Sequence, residues 1–233
     1  MKLKFKRQQY QDNAVQSVVD CFNGQTSGVK TNIMGKRSVI TDITNWNKKD
    51  IENIIFFGNK EIELSTDELR KNIRKVQKQN NIEYTDDKGF ENYSIEMETG
   101  TGKTYTYIKT MYELNKNYGW SKFIVMTPSI AIREGALKSF QITEEHFQEM
   151  YGKKIRYFVY NSNNSSNLSN INNFAEDNSI QVMIINYQAF NTRTKENRKI
   201  YEELDELQSR RPIEVIKATN PILIVDEPQK MGK

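Results

Sequence analysis

The sequence of 233 residues contains one cysteine, one histidine and no long apolar run. A disulfide within the chain or a CxxC metal motif needs at least two cysteines, and both are excluded because Cys21 is the single cysteine of the sequence. We interpret Cys21 as a small, half-buried residue of a helix. A His-rich zinc site needs several histidines and is excluded because His146 is the single histidine of the sequence. We interpret His146 as an exposed surface residue. No stretch approaches about 18 apolar residues, so the sequence predicts no membrane span and no membrane partner.

The N-terminal segment Met1–Tyr10 is polar and basic and no apolar run follows it, so it does not resemble a signal peptide. We therefore expect a cytoplasmic protein. Hydrophobic residues make up 36% of the chain and charged residues 27%, which is enough apolar material for a folded core. The formal net charge of +4 permits nucleic-acid binding without requiring it.

Two helices are predicted in the N-terminal part of the chain. Apolar residues recur at intervals of three and four in Gln8–Phe22, which is typical of an amphipathic helix. Ser65–Glu68 matches the capping box Ser-x-x-Glu and begins a helix that has Leu69, Ile73 and Val76 on one face. The other face of this helix is rich in Lys and Arg. We interpret that face as solvated, with a DNA contact as the alternative.

Strands and helices alternate from residue 93 onwards. A glycine-rich turn and a helix follow the first strand, and this helix ends near Tyr118 with Gly119 as its stop. Asn161–Asn173 is dominated by Asn and Ser and is predicted to be a mobile loop. The alternation predicts βαβ units in a parallel sheet, with ligands bound beyond the carboxyl ends of the strands. The predicted strands are Tyr93–Met97, Phe123–Thr127, Ile155–Tyr160, Val182–Asn186 and Ile222–Val225.

A candidate phosphate-binding loop, Met97–Thr104, lies between a predicted strand and a predicted helix. Gly100 and Gly102 have no Cβ atoms, so the backbone N–H groups can close around phosphate oxygens, and the helix N-terminus adds partial positive charge. Lys103 would reach the β- and γ-phosphates, and the Thr104 hydroxyl would ligate Mg²⁺. The first residue of the segment is methionine where the full P-loop pattern has glycine, which favours the helicase form of the motif. The predicted nucleotide contacts of this loop are Thr99, Gly100, Thr101, Gly102, Lys103 and Thr104.

Two adjacent carboxylates, Asp226 and Glu227, follow the predicted strand Ile222–Val225. A carboxylate at the tip of a buried strand beside a P-loop suits an Mg²⁺ ligand, here Asp226. Glu227 would then accept a proton from the attacking water or orient it. Such pairs also occur in surface turns, but the position after an apolar strand favours the catalytic interpretation, with Glu227 and Lys103 as the catalytic residues.

These segments resemble a known family. Met97–Thr104, Val125–Ser129 with Arg133–Gly135, and Asp226–Gln229 resemble motifs I, Ia and II of superfamily 2 helicases. The sequence Asp-Glu-Pro-Gln in the last motif is similar to that of the Res subunit of type III restriction–modification enzymes. The resemblance implies an α/β fold, a RecA-like P-loop domain with a mainly parallel sheet flanked by helices and incomplete at the C-terminus. It also implies ATP and Mg²⁺ as cofactors.

The resemblance also implies further site residues. Gln11 would hydrogen-bond the adenine edge, with Phe5 or Tyr10 available to stack on the ring. The motif Ia residues would hold the DNA backbone, because a strand end that enters a helix N-terminus offers N–H and hydroxyl donors. Asn186–Phe190 is either a second strand-contact loop or ordinary packing. The motif Ia residues are Thr127, Pro128, Ser129 and Arg133.

The resemblance divides the chain into three parts. Residues 1–25 carry the N-terminal helix with the adenine-reading glutamine, residues 26–91 form an insertion or linker, and residues 92–233 form a partial RecA-like domain. Motif III, the second RecA-like domain and the nuclease would follow Lys233, so we expect the chain alone to bind nucleotide weakly and to hydrolyse it poorly. The implied partners of the whole enzyme are double-stranded DNA and a DNA methyltransferase subunit.

Two alternatives remain open from the sequence. The first is another superfamily 2 motor without a restriction role, such as a repair or RNA helicase, which the sequence downstream of Lys233 would distinguish. The second is a remnant that binds nucleotide or DNA without hydrolysis.

Overall fold

The computed structural model describes residues 5–34, 54–83, 92–161, 166–190, 199–203, 207 and 210–231. The helices are α1 (Gln9–Cys21), α2 (Thr66–Gln79), α3 (Lys103–Tyr118), α4 (Ile130–Tyr151), α5 (Ser166–Glu176) and α6 (Pro212–Ala218). The strands are β1 (Val29–Met34), β2 (Ile54–Asn59), β3 (Lys122–Thr127), β4 (Arg156–Val159), β5 (Gln181–Asn186) and β6 (Ile222–Val225). Short 3₁₀ turns occupy Tyr187–Phe190, Lys199–Tyr201 and Pro228–Lys230. No helix in these ranges is long and apolar enough to cross a membrane.

The main sheet has the strand order β4-β5-β3-β6, and all its neighbouring strands are parallel. Strands β1 and β2 form a separate antiparallel pair. The two central strands β3 and β5 are almost entirely buried, which explains their continuous apolar runs. A parallel sheet flanked by helices confirms the predicted α/β class.

Two hydrophobic clusters cover the two faces of the main sheet, because successive residues of a strand point to opposite faces. Phe123 and Val125 of β3 belong to the cluster that contains residues of α1, α2, α3 and α4. Ile124 of β3 belongs to the other cluster, which contains residues of α5 and α6. The sheet therefore has helices on both sides, and its carboxyl-terminal edge is the edge from which α4 begins.

Helix α1 packs on α3 and carries α2 on its outer side. The Asp12 carboxylate of α1 forms an ion pair with the ammonium group of Lys109 in α3, whose side chain is 8% exposed. The Tyr118 hydroxyl of α3 donates to the Val19 carbonyl at 2.8 Å. Cys21 is buried at the end of α1, and burial raises its thiol pKa to about 11. The helix prediction for Gln8–Phe22 is confirmed.

The predicted capping box of α2 is confirmed. The Ser65 hydroxyl accepts from the Glu68 backbone N–H at 3.3 Å, and the Ser65 N–H donates to the Glu68 carboxylate at 2.8 Å. Leu69 and Val76 are buried. The Asn72 amide donates to the Asn23 carbonyl at 2.8 Å and so attaches α2 to the end of α1.

Strand β2 is connected to the main sheet through Asn59. Its side-chain oxygen accepts from the N–H groups of Ser121 and Lys122 at 2.7 and 2.9 Å. Its side-chain amide donates to the Lys122 carbonyl at 2.7 Å, and its backbone N–H donates to the Thr219 carbonyl at 2.9 Å. Phe56 of β2 is 1% exposed within the second cluster. The described part of residues 26–91 therefore contacts the sheet domain directly, while the division into three parts stays a prediction.

Two local predictions are wrong. Tyr93–Met97 forms no strand: Tyr93 and Ile95 are 37% and 48% exposed, and within the described ranges no strand pairs with this segment. The C-terminal part of the predicted loop Asn161–Asn173 lies in α5. Ile171 and Phe174 are fully buried at a helical spacing of three, so an apolar stripe stabilises this helix despite its Asn-rich composition. Residues 162–165 lie outside the described residues.

Candidate nucleotide-binding site

The loop that precedes α3 is shaped by two glycines in the left-handed region. Gly100 has φ +81° and Gly102, the N-cap of α3, has φ +86°. A Cβ atom on Gly100 would meet nothing within 4 Å, so this side of the loop is open. The Thr101 hydroxyl donates to the Glu98 carbonyl at 2.6 Å and closes the turn. The loop therefore brings backbone N–H groups and the positive end of α3 to one place.

Lys103 is the first residue of α3, and its side chain folds back over the loop. Its ammonium group donates to the carbonyls of Met97 and Glu98 at 3.2 and 3.4 Å. The same Nζ atom lies 3.7 Å from Oε1 of Glu227. The candidate phosphate-binding lysine and the candidate catalytic carboxylate are therefore neighbours.

The acid pair lies at the carboxyl end of β6. The Asp226 backbone N–H donates to the Met126 carbonyl at 2.9 Å, which places it beside the end of β3. Burial raises the pKa of Asp226, the adjacent Glu227 raises it further, and the Lys103 ammonium opposes both effects. Glu227 has φ +52°. This backbone conformation is energetically unfavourable for residues other than glycine, and residues that adopt it often occur at functional sites.

Glu227 accepts a hydrogen bond from one residue of its own turn and forms an ion pair with another. The Gln229 amide donates to Oε2 of Glu227 at 2.5 Å. The Lys230 ammonium lies 3.5 Å from the same oxygen, whereas Lys103 approaches the other carboxylate oxygen. Gln229, the last residue of the Asp-Glu-Pro-Gln segment, thus positions the Glu227 carboxylate.

The first turn of α1 lies against the loop. Gln11 is 9% exposed, and its amide donates to the Thr101 carbonyl at 2.9 Å. The Tyr10 hydroxyl donates to the same carbonyl at 3.0 Å. A Cβ atom on Gly102 would lie 2.5 Å from Nε2 of Gln11, so the position of the amide depends on glycine at that residue. The structure therefore brings Gln11 and Thr101 together across 90 positions of sequence.

The two aromatic residues considered for ring stacking have different surroundings. Tyr10 is 48% exposed. Phe5 instead packs on Tyr105 and His146, with ring centroids 5.8 and 4.8 Å apart. The Tyr105 hydroxyl lies 2.9 Å from Nε2 of His146, within hydrogen-bond distance.

His146 is not an exposed surface residue. It is half-buried in the aromatic cluster with Phe5 and Tyr105, and burial lowers its pKa, followed by the charge of Lys109. The interpretation from sequence is wrong because it considered only the polar neighbours in α4. The ring contacts from outside α4 come from Tyr105 of α3 and from Phe5 in the segment before α1.

Tyr107 is a residue of the site that sequence reasoning missed. Burial raises its pKa, and the charge of Asp226 raises it further. It lies three residues after Thr104 on α3, so helical spacing turns it toward the same face. That spacing was the available signal, although a buried tyrosine in a helix is more often ordinary core.

The residues of the candidate motif Ia lie at the next strand end, between β3 and α4. Thr127 is 0% exposed, and its hydroxyl donates to the Ile185 carbonyl at 3.4 Å. Pro128 is also buried. The Thr127 hydroxyl thus already has a partner in β5, and the DNA contact of the motif Ia residues stays a prediction. Ser129 caps α4 by accepting from the Ile132 N–H at 3.3 Å, and Arg133 pairs with Glu134 at 2.9 Å.

Comparison with known proteins agrees with this architecture. The family described as "Type III restriction enzyme, res subunit" matches residues 4–232. The EcoP15I Res subunit of Escherichia coli is 34% identical over 191 residues, which are 74% of this chain and 20% of that protein. The EcoPI Res subunit of Escherichia phage P1 is 32% identical over 204 residues, or 78% of this chain and 20% of that protein.

A third relative, the StyLTI Res subunit of Salmonella typhimurium, is 33% identical over 165 residues, or 64% of this chain and 16% of that protein. The chain thus spans about a fifth of the length of the curated relatives that it matches. The family match extends over nearly the whole chain and includes both the glycine loop and the acid pair. The chain belongs to the Res subunit family of type III restriction enzymes, and its sheet is that of a RecA-like domain.

Proposed function

We propose that the chain is the N-terminal, ATP-binding motor part of a Res-like subunit, an ATP- and Mg²⁺-dependent DNA helicase or translocase. The observation that carries the proposal is the 3.7 Å approach of Lys103 to Glu227. It supports the proposal because it brings the candidate phosphate-binding loop next to the candidate catalytic carboxylate, and nucleotide hydrolysis would need both at one site. The whole enzyme would cleave DNA.

The residues of the loop fit the phosphate groups of a nucleoside triphosphate. The open side of Gly100 leaves space for phosphate oxygens next to backbone N–H groups. The Lys103 ammonium now donates to two carbonyl oxygens of its own loop, and phosphate oxygens are stronger acceptors for it. Thr99, Thr101 and Gly102 complete the loop. We expect Lys103 to exchange the carbonyls for the β- and γ-phosphates.

Asp226 and Thr104 would hold Mg²⁺ between them. Tyr107 lies close to both side chains, because the Asp226 charge raises its pKa and the Thr104 side chain lowers it. The raised pKa of Asp226 reflects a carboxylate that burial leaves short of positive partners. Bound Mg²⁺ would supply that charge and would neutralise the phosphates. Glu227 would orient the attacking water and take its proton.

Gln11 would read the adenine edge. Its amide is already held against the loop by the Thr101 carbonyl, so its orientation is fixed relative to the phosphate site. An amide presents both a donor and an acceptor, which matches the edge of adenine. Tyr10 is the exposed ring nearest to it in sequence and is the better candidate for stacking, because Phe5 is engaged by Tyr105 and His146.

DNA would contact the start of α4. The N-terminus of a helix presents free N–H groups, which bind phosphate oxygens. Ser129 and Arg133 would contribute side chains there. Thr127 and Pro128, at the end of β3, would lie near the same phosphates. In the whole enzyme, double-stranded DNA would be the substrate, and a DNA methyltransferase subunit would supply sequence recognition.

Comparing ATP affinity with Mg²⁺ and with a chelator tests the metal role. We expect Mg²⁺ to tighten ATP binding, and we expect Asp226→Asn to remove this difference while the chain stays folded. Asp177→Asn is a matched control, since Asp177 is a half-buried aspartate outside the site. Equal ATP affinity with and without Mg²⁺ in the unsubstituted chain would contradict the proposal.

A further inference from the structure

Tyr107 of α3 carries a buried hydroxyl group that has no hydrogen-bond partner. Its oxygen is shielded from solvent, and within the part of the chain that the structure describes no donor or acceptor is in hydrogen-bonding geometry with it. A buried polar group without a partner costs free energy, so native proteins contain few of them. Phenylalanine would fill the same space without this cost. Packing alone therefore does not explain the hydroxyl of Tyr107.

The other tyrosines of α3 show the usual arrangement. Each of their hydroxyl groups lies within hydrogen-bond distance of a polar atom outside α3, at 2.8 to 3.3 Å. The pairs are Tyr105 with the His146 ring, Tyr112 with the Ile155 N–H and Tyr118 with the Val19 carbonyl. Tyr107 is thus the exception among the four tyrosines of this helix.

The ring of Tyr107 is held in place by packing. It contacts the hydrophobic cluster that contains residues of α1, α2, α3 and α4. Its ring centroid lies 6.5 Å from that of Phe140 in α4. The oxygen of a tyrosine lies on the axis about which the ring turns, so rotation of the ring leaves the oxygen where it is. The hydroxyl therefore has a defined position and can only meet a partner that comes to it.

The two candidate Mg²⁺ ligands lie next to this hydroxyl. Thr104 precedes Tyr107 by one helical turn, and its side chain lowers the pKa of Tyr107 without completing a hydrogen bond in regular geometry. Ile222 and Ile224 of β6 pack against the same cluster as Tyr107, and the alternation of the strand places Asp226 on that face too. The charge of Asp226 raises the pKa of Tyr107, which agrees with this placement. The unused hydroxyl thus lies beside the proposed metal site.

We propose that Tyr107 is a positioning residue, whose hydroxyl donates a hydrogen bond to the Asp226 carboxylate in the nucleotide-bound state and orients that carboxylate for Mg²⁺. A carboxylate has two acceptor oxygens, so one can accept from Tyr107 while the other faces the metal. The bond removes the penalty of the buried, unpaired hydroxyl, and this favours the bound state. The proposal rests on the proposed function, because that function makes Asp226 a ligand of Mg²⁺.

The test compares Tyr107→Phe with the unsubstituted chain. ATP affinity is measured by competition against a fluorescent ATP analogue, once with excess Mg²⁺ and once with a chelator. We define the ratio of the two affinities as the Mg²⁺ enhancement. We expect Tyr107→Phe to reduce the Mg²⁺ enhancement by about 5-fold, as for the loss of one hydrogen bond, and to leave the affinity in chelator unchanged. The melting temperature of the nucleotide-free chain should stay equal or rise, because an unpaired buried hydroxyl is removed.

Tyr118→Phe is the matched control, because it removes the same atom from another tyrosine of α3. It should lower the melting temperature, since it removes the hydrogen bond to the Val19 carbonyl, and it should leave the Mg²⁺ enhancement unchanged. Circular dichroism checks that both variants fold. An unchanged Mg²⁺ enhancement in Tyr107→Phe would overturn the proposal. An equal loss of ATP affinity with Mg²⁺ and with the chelator would also overturn it, because the hydroxyl would then not act through the metal ligand.

The same measurements separate this proposal from the proposed function. If the unsubstituted chain shows an Mg²⁺ enhancement and Tyr107→Phe keeps all of it, only the role of Tyr107 is overturned. If the unsubstituted chain binds ATP equally with Mg²⁺ and with the chelator, the metal role of Asp226 fails, and the role of Tyr107 fails with it.

Discussion

Lys103 and Glu227 lie 3.7 Å apart, although more than a hundred residues separate them in sequence. Their side chains are 30% and 20% exposed, so water screens the pair only in part. The contact joins the start of α3 to the turn after β6. Each residue therefore limits where the other can be placed.

Glu227→Gln should keep ATP binding and lose turnover. Glutamine has the same shape but cannot take a proton from water, and a general base contributes about 10²–10⁴-fold to a rate. The substitution also removes a negative charge close to Lys103, so ATP affinity should be equal or higher. Phosphate release and ATP binding are measured on the same samples.

The control for this variant is Glu145→Gln, since Glu145 is exposed in the middle of α4. It should change neither quantity. A Glu227→Gln chain that releases phosphate at the unsubstituted rate would remove Glu227 from the mechanism.

Gln11→Ala should reduce the preference for ATP over GTP. The Gln11 amide is held at the loop by the Thr101 carbonyl, and the loss of one hydrogen bond costs about 1 kcal/mol, or about 5-fold in affinity. Competition of ATP and GTP for a fluorescent nucleotide measures the preference. Gln16→Ala, an exposed position on the same helix, should leave the preference unchanged. An unchanged preference in Gln11→Ala would show that Gln11 does not read the base.

Asp12→Asn should destabilise the fold by about 3–5 kcal/mol. The substitution leaves the Lys109 ammonium without its carboxylate partner, and the Lys109 side chain is only 8% exposed. Urea denaturation followed by circular dichroism measures the free energy of unfolding. The control Asp20→Asn lies on the same helix and should change stability by less than about 0.5 kcal/mol. A similar small effect for both variants would mean that the pair does not hold α1 to α3.

The same ion pair predicts a pH dependence. Burial acts to raise the pKa of Asp12, but hydrogen bonds from Lys109 and Arg7 and their charges hold it below its ordinary value. A carboxylate with a lowered pKa stabilises the fold above the pKa of the unfolded chain, and this stability is lost as the pH falls through the folded value. Stability should therefore decrease below about pH 4, and less steeply in Asp12→Asn. Parallel pH profiles of the two proteins would contradict this assignment.

Gly58→Ala should destabilise the attachment of β2. A Cβ atom there would lie 2.8 Å from the Thr219 carbonyl oxygen, and this backbone atom cannot move away easily. Overpacking of this kind costs about 1–3 kcal/mol. Gly135→Ala is the matched control: nothing lies within 4 Å of its Cβ position in α4, so it should stabilise the fold by up to about 1 kcal/mol. Equal effects would contradict the described packing of β2.

Local sequence patterns predicted the elements whose burial is periodic. The apolar spacing of α1, the Ser-x-x-Glu start of α2 and the apolar runs of β3, β5 and β6 agree with the structure within one or two residues. The loop and the acid pair were found because glycine, lysine and carboxylates occur next to predicted strand ends. The bonding of Gln11 to the loop and the approach of Lys103 to Glu227 are tertiary contacts, which spacing does not encode.

The wrong predictions share a physical cause. Whether an alternating segment such as Tyr93–Met97 becomes a strand depends on a neighbour to pair with, and a single sequence does not identify that neighbour. In α5, burial of Ile171 and Phe174 outweighs the loop-like composition around them. Strand β2 was missed because its partners, β1 and the residues after α6, are distant in sequence.

A nucleotide titration that compares the chain with Lys103→Ala tests the central claim most directly. Binding of a fluorescent ATP analogue is measured with excess Mg²⁺, and Lys138→Ala, an exposed lysine of α4, is the control. We expect the control to bind like the unsubstituted chain and Lys103→Ala to bind at least about 10-fold more weakly, because a charge-assisted hydrogen bond contributes about 1.5–3 kcal/mol. Equal affinity in all three proteins would contradict the assignment of residues 97–104 as the phosphate-binding loop.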